Sequence, residues 1–147
     1  EARSPDERSF ALTALGNAAS ERAVEPARDG LRSEHVTVRQ SAVQALREVP
    51  SADAEALLLA AALEDVSSVV RVEALGALAG RYLEAGSVQR LVARLDAEPA
   101  EDARLALVGV LGGEAAHHGW VIDELRRVAR EDRVVAVRSA AASAVMR

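Results

Sequence analysis

Arg71-Val72-Glu73-Ala74-Leu75-Gly76-Ala77-Leu78 is an eight-residue pattern that occurs five times in the 147-residue chain. The other copies are Arg8–Leu15, Arg39–Leu46, Arg104–Leu111 and Arg138–Val145. Each copy opens on Arg and has Leu or Val seven residues later, and small or aliphatic residues fill the third, fourth and sixth places after the Arg. Successive arginines stand 31, 32, 33 and 34 residues apart. A period of this size implies one supersecondary unit that cannot bury its apolar face alone and must stack on its neighbours.

Polar breaks flank every copy, and a second apolar segment fills each interval. The spacing predicts a helix over 36–48, with Val38, Ala42, Val43, Ala45, Leu46 and Val49 on its apolar side. Pro50 stops it, because the residue before a proline avoids helical geometry. Ser51 is then placed to cap a second helix, with Asp53 and Glu55 at its positive end, running to Glu64-Asp65. The next Arg-led helix is expected over 68–79, with Gly80 as its C-terminal break. By the same reading, Arg-led helices cover 6–18, 100–111 and 134–146, and intervening ones 21–31, 87–95 and 120–129. Gly112-Gly113 and Gly86 read as helix ends. The expectation is an all-α, right-handed α-solenoid of about nine antiparallel helices. It forms a single domain over 1–147 and is expected to be part of a longer chain.

Composition agrees. Half of the residues are hydrophobic and only 2% aromatic, so the core must come from aliphatic contact and close backbone approach. Ala, Leu, Arg and Glu favour helix over strand. All 18 basic residues are Arg. A net charge of −5 and a pI near 5.3 argue against general nucleic-acid binding, which needs a basic face. No cysteine is available for a disulfide, a thiolate metal site or a nucleophile. No apolar run reaches the roughly 18 residues of a membrane span. With no signal peptide in the chain, a cytoplasmic location is expected.

These repeats resemble HEAT repeats, more narrowly the short phycobilin-lyase type. The matching residues are the Val-Arg-x-x-Ala-x-x-Ala-Leu strings Val38-Arg39…Ala42…Ala45-Leu46 and Val70-Arg71…Ala74…Ala77-Leu78. Glu21-Arg-Ala-Val-Glu-Pro26 fits the linker into the partner helix. Asp65 and Asp132, each six residues before its Arg, match the aspartate of the pattern. The fourth copy departs most, with Leu107 and Val110 in place of Ala. The resemblance implies a non-catalytic protein–protein interaction scaffold or adaptor that binds another protein or peptide on its concave face, without cofactor, nucleic acid or membrane. The alternative it implies is a chromophore-lyase-like protein holding a linear tetrapyrrole or other small ligand. A HEAT-like DNA glycosylase would need an electropositive groove with aromatics, which a chain with one Trp and net charge −5 does not offer.

Arg8, Arg39, Arg71, Arg104 and Arg138 are read as a structural ladder, each pairing with an acid of its own or the adjacent repeat. The nearby acids are Glu34 for Arg39, Asp65 for Arg71, Asp96 and Glu101 for Arg104, and Asp132 for Arg138. The first, second and fifth places after each Arg should look outward. In the middle and C-terminal copies these places are apolar or tiny, with Val72 and Leu105 beside Gly76 and Gly109. Phe10, Gln40, Gln44, Val72, Glu73, Gly76, Leu105, Gly109 and Ser143 are therefore the expected partner-binding residues. His117-His118 reads as a loop bearing two solvated imidazoles, not a metal site, since adjacent histidines point apart. Trp120 is expected to pack between repeats. No catalytic set is found. The last helix, over 134–146, lacks a partner after it, so self-association there is a further expectation. The short segment before Asp6 leaves the first repeat half complete.

Overall fold

The structure is a computed structural model that describes residues 4–147; residues 1–3, within the segment before Asp6, lie outside the described residues. Among the described residues there are nine α-helices, one 3-10 turn and no strand. The Arg-led helices are α1 (Pro5–Gly16), α3 (Val36–Leu46), α5 (Ser68–Leu78), α7 (Glu101–Glu114) and α9 (Val135–Val145). Between them lie α2 (Val24–Gly30), α4 (Ala52–Glu64), α6 (Ala85–Ala97) and α8 (Val121–Glu131). Among the described residues, no helix is long and apolar enough to cross a membrane.

Local chemistry sets the boundaries. Ser4 caps α1 reciprocally: its Oγ accepts from the Glu7 amide at 3.2 Å, and its own amide donates to Glu7 Oε2 at 2.8 Å. Ser51 caps α4 through the Ala54 amide at 3.2 Å. Gly80 lies past the end of α5 at φ +84°, the left-handed geometry that a side chain resists.

Three expectations about helix limits are corrected. The segment 21–31 divides into a 3-10 turn, Glu21–Ala23, and α2. Pro26 thereby falls in the first turn of α2, where its missing N–H removes no intrahelical bond. Gly112-Gly113 does not end α7, which continues to Glu114. A Cβ at Gly112 would stand 3.1 Å from Ala144 Cβ, so this glycine marks a tight approach of α7 to α9. Gly86 lies in the first turn of α6, not outside it.

The helices form two compact units, one ending at Leu78 and the other spanning Ala79–Arg147. In the first, α3 packs against α1, α2, α4 and α5. Its core holds Leu12, Leu46, Leu58, Leu75 and Leu78. A Cβ at Gly16 would lie 2.6 Å from Ala45 Cα, so the backbones of α1 and α3 touch. In the second unit, α7 packs against α6, α8 and α9 around Leu91, Leu95, Leu107, Leu111 and Leu125. The third, fourth, sixth and seventh places after Arg39 and Arg104 are all buried, as the sequence pattern requires.

Candidate functional site

Four Arg-led helices share one linker geometry. Arg39, Arg71, Arg104 and Arg138 each donate Nη1–H to the backbone carbonyl six residues earlier: Ser33 at 2.9 Å, Asp65 at 2.8 Å, Glu98 at 3.0 Å and Asp132 at 2.7 Å. A helical side chain leans toward its own N-terminus, which brings the guanidinium to the preceding turn. The side chain of the same linker residue accepts from the amide two places on: His35 at 3.2 Å, Ser67 at 2.9 Å, Ala100 at 2.9 Å and Val134 at 2.8 Å. Asp65 and Asp132 therefore face away from the Arg of their own repeat, toward the Arg of the repeat before, while the Glu98 carboxylate accepts from Arg94 at 2.8 Å. Arg39 grips Asp65 with two hydrogen bonds, Nε to Oδ2 at 2.8 Å and Nη2 to Oδ1 at 3.1 Å. Arg104 meets Asp132 through Nη2.

For Arg39 and Arg104, the acids nearest in sequence are thus not the ionic partners. Glu34 offers Arg39 only its backbone oxygen, at 3.2 Å. Asp96 accepts from Arg127 at 2.8 Å in place of Arg104. Those two bonds of Arg127, to Asp96 and Glu124, hold its guanidinium above its ordinary pKa. Arg8 differs, reaching the exposed carboxylate of Asp29 at 3.6 Å. Burial pushes the Asp132 carboxyl up. The Arg104 hydrogen bond, the Val134 amide and the charges of Arg104 and Arg133 outweigh that and leave it below the usual value.

In the first unit a groove of about 690 Å³ is lined by residues of α1, α3 and α5 with the linkers beside them, among them Thr13, Asn17, Gln40, Gln44, Arg47 and Glu73. Gln40 Nε2 donates to Glu73 Oε2 at 3.0 Å, and Gln44 Nε2 to Glu73 Oε1. Arg47 donates to Gln44 Oε1 and to the Gly76 carbonyl, each at 3.1 Å. Gln40, Gln44, Glu73 and Gly76 are therefore brought together, and the surface they make is polar. Arg47, not among the residues expected from the sequence, completes it. It follows Arg39 by eight residues, one past the repeated pattern. Phe10 is 78% exposed and does not line this groove. Val72 is half-buried on α5.

The second unit presents a different groove, of about 290 Å³, between α7 and α9. Leu105, Gly109 and Ser143 line it with Val108, Gly112 and Ala144. Its floor is aliphatic. Nothing lies within 4 Å of a Cβ built at Gly109, and Ser143 Oγ donates to the Ser139 carbonyl at 3.0 Å.

The histidine expectation is corrected in part. The His118 side chain is only 10% exposed, with Nε2 2.7 Å from the Leu83 carbonyl and 3.6 Å from Glu114 Oε2. Tyr82 stacks on its ring at 5.8 Å and meets His117 edge-on at 5.4 Å. Trp120 remains 38% exposed in the turn before α8.

Among protein-family models, the one described as HEAT repeats matches residues 1–79. None of the curated proteins matches the chain. The matched stretch covers more than half of the sequence and ends at the boundary between the two units.

Proposed function

The chain belongs to the HEAT-repeat family of all-α solenoids, whose members generally serve as protein-interaction scaffolds, and from that premise we propose that it is a non-catalytic adaptor binding a protein or peptide. The binding surface is the outward face of the Arg-led helices. Phe10, Gln40, Gln44, Val72, Glu73 and Gly76 belong to it in the first unit, and Leu105, Gly109 and Ser143 in the second.

The observation that carries this reading is the fate of the fifth place after each Arg. Thr13, Gln44, Gly76, Gly109 and Ser143 are all exposed, while the third place is buried in every helix after the first. None of the five carries a charge. Glycine inside a helix costs about 1 kcal/mol against alanine, and Gly109 has no neighbour that a Cβ would displace. A bare backbone beside Leu105 lets a partner approach closely, and an apolar surface rimmed by polar groups is the usual mark of an interaction site. The polar groove of the first unit suits hydrogen bonding to peptide backbone, since Gln40, Gln44, Arg47 and Glu73 supply both donors and acceptors. The tetrapyrrole alternative drew on a repeat subtype, whereas the family match is to HEAT repeats in general.

Affinity capture with the purified chain, followed by direct binding measurements on each captured protein, tests the proposal. Wild type and Gly109→Glu run in parallel. A partner bound by wild type and lost by a fully helical Gly109→Glu supports the surface. A partner bound equally by both removes the second unit's groove from it.

A further inference from the structure

We infer that the polar groove of the first unit reads an arginine of its partner, with the Glu73 carboxylate as the acceptor. That chemistry presupposes the adaptor reading above and specifies the segment that the groove takes.

The pairing of the acids carries the inference. Asp65, Glu98, Glu124 and Asp132 are withdrawn from water, and each meets an arginine: Arg39, Arg94, Arg127 and Arg104 in turn. Glu73 is half-buried as well, yet it accepts only from two neutral amides, Gln40 Nε2 at 3.0 Å and Gln44 Nε2. Among the described residues no arginine pairs with it. Arg47, the basic residue of the groove lining, turns instead to Gln44 Oε1 and the Gly76 carbonyl, each at 3.1 Å. The carboxylate is thus held in place with its charge uncancelled.

The open acceptor sites select the ligand. An ionised carboxylate offers about four of them, two on each oxygen. Gln40 takes one on Oε2 and Gln44 one on Oε1, which leaves one on each oxygen. Two such sites match the parallel N–H bonds of a guanidinium, whereas a lysine ammonium is a point charge with no fork. Arg39 makes a pair of this kind on Asp65 inside the molecule, Nε to Oδ2 and Nη2 to Oδ1. The charge of the groove agrees, since Glu48 and Glu73 outnumber Arg47 in its lining. An acidic partner segment would meet Glu73 with like charge.

The intact, isotope-labelled protein is titrated by NMR with the blocked tripeptide Ac-Ala-Arg-Ala-NH2 and with its lysine and citrulline counterparts. Citrulline keeps the shape of arginine and lacks its charge. The arginine peptide should move the side-chain amide signals of Gln40 and Gln44 saturably. Its affinity should exceed that of the citrulline peptide by about tenfold or more, and that of the lysine peptide by about threefold or more. Glu73→Gln should abolish the preference while the backbone signals of Leu46 and Leu75 stay in place. The peptide comparison is made on unaltered protein, so it decides the matter even where Glu73→Gln fails to fold. Equal affinity for the arginine and citrulline peptides overturns the inference and leaves the groove as the peptide site proposed above. Absence of any shift, or a preference that survives in folded Glu73→Gln, overturns it too. The capture experiment with Gly109→Glu reads the second unit and tests the adaptor reading separately.

Discussion

Asp132 and Asp29 both pair with a ladder arginine, and their surroundings give them different weights. The Asp132 side chain is 1% exposed against Arg104, whereas Asp29 is 78% exposed and stands 3.6 Å from Arg8. Removing one member of a buried pair strands the other charge, at about 3–5 kcal/mol. An exposed pair contributes at most about 1 kcal/mol. Urea unfolding of Asp132→Ala and Asp29→Ala should therefore differ by several-fold in destabilisation. Equal effects would show that the buried bond does not set stability. The pH dependence follows with a definite sign. The folded Asp132 carboxyl titrates below its unfolded value, so it contributes stability above about pH 4 that is lost as pH falls through the depressed folded value. Asp132→Asn should flatten the acid limb of the stability curve while leaving its shape near neutrality unchanged. Glycines divide by environment. Gly16→Ala forces its Cβ to within 2.6 Å of Ala45 Cα and should lower Tm, while Gly109→Ala meets nothing and should add about 0.5–1 kcal/mol.

Helices were the part of this fold most legible in sequence. The repeated Arg-to-Leu pattern located every Arg-led helix, because third, fourth, sixth and seventh places fall on one side of a helix whatever the neighbours do. Ser51 and Gly80 marked limits for equally local reasons, a cap and a left-handed residue. The sequence misread Gly112-Gly113 because a glycine that ends a helix and one that lets two helices close look alike until the neighbour, Ala144, is known. The ladder partners were hidden for a related cause. Asp65 lies 26 residues from Arg39 and Asp132 lies 28 from Arg104, so only the stacking of repeats brings them together. Nearness in sequence pointed to Glu34 and Asp96. The polar groove centred on Glu73 was half legible: its rows were in the pattern, but Arg47 lay beyond it. At this scale the capping box of α1 is open to test. Ser4→Ala removes the acceptor for the Glu7 amide and should cost about 1 kcal/mol, read as fraying of α1 by hydrogen exchange. Unchanged exchange in α1 would mean that packing on α3 alone holds the helix.

At the scale of the molecule, an acidic chain of repeated helix pairs presents a weakly charged face on each of its two units. One face is a polar groove built on α1, α3 and α5, the other an aliphatic groove between α7 and α9. The first holds the hydrogen-bonding amides of Gln40 and Gln44, and the second an aliphatic floor beside the bare backbone of Gly109. The adaptor proposal rests on these surfaces, and Gly109 is where it is most exposed to refutation. The decisive measurement is the affinity of a captured partner for wild type and for Gly109→Glu, with thermal unfolding followed on the same samples. The account predicts binding weakened by about tenfold or more at an unchanged or higher Tm. Unaltered affinity, or affinity lost only as the fold is lost, would contradict it.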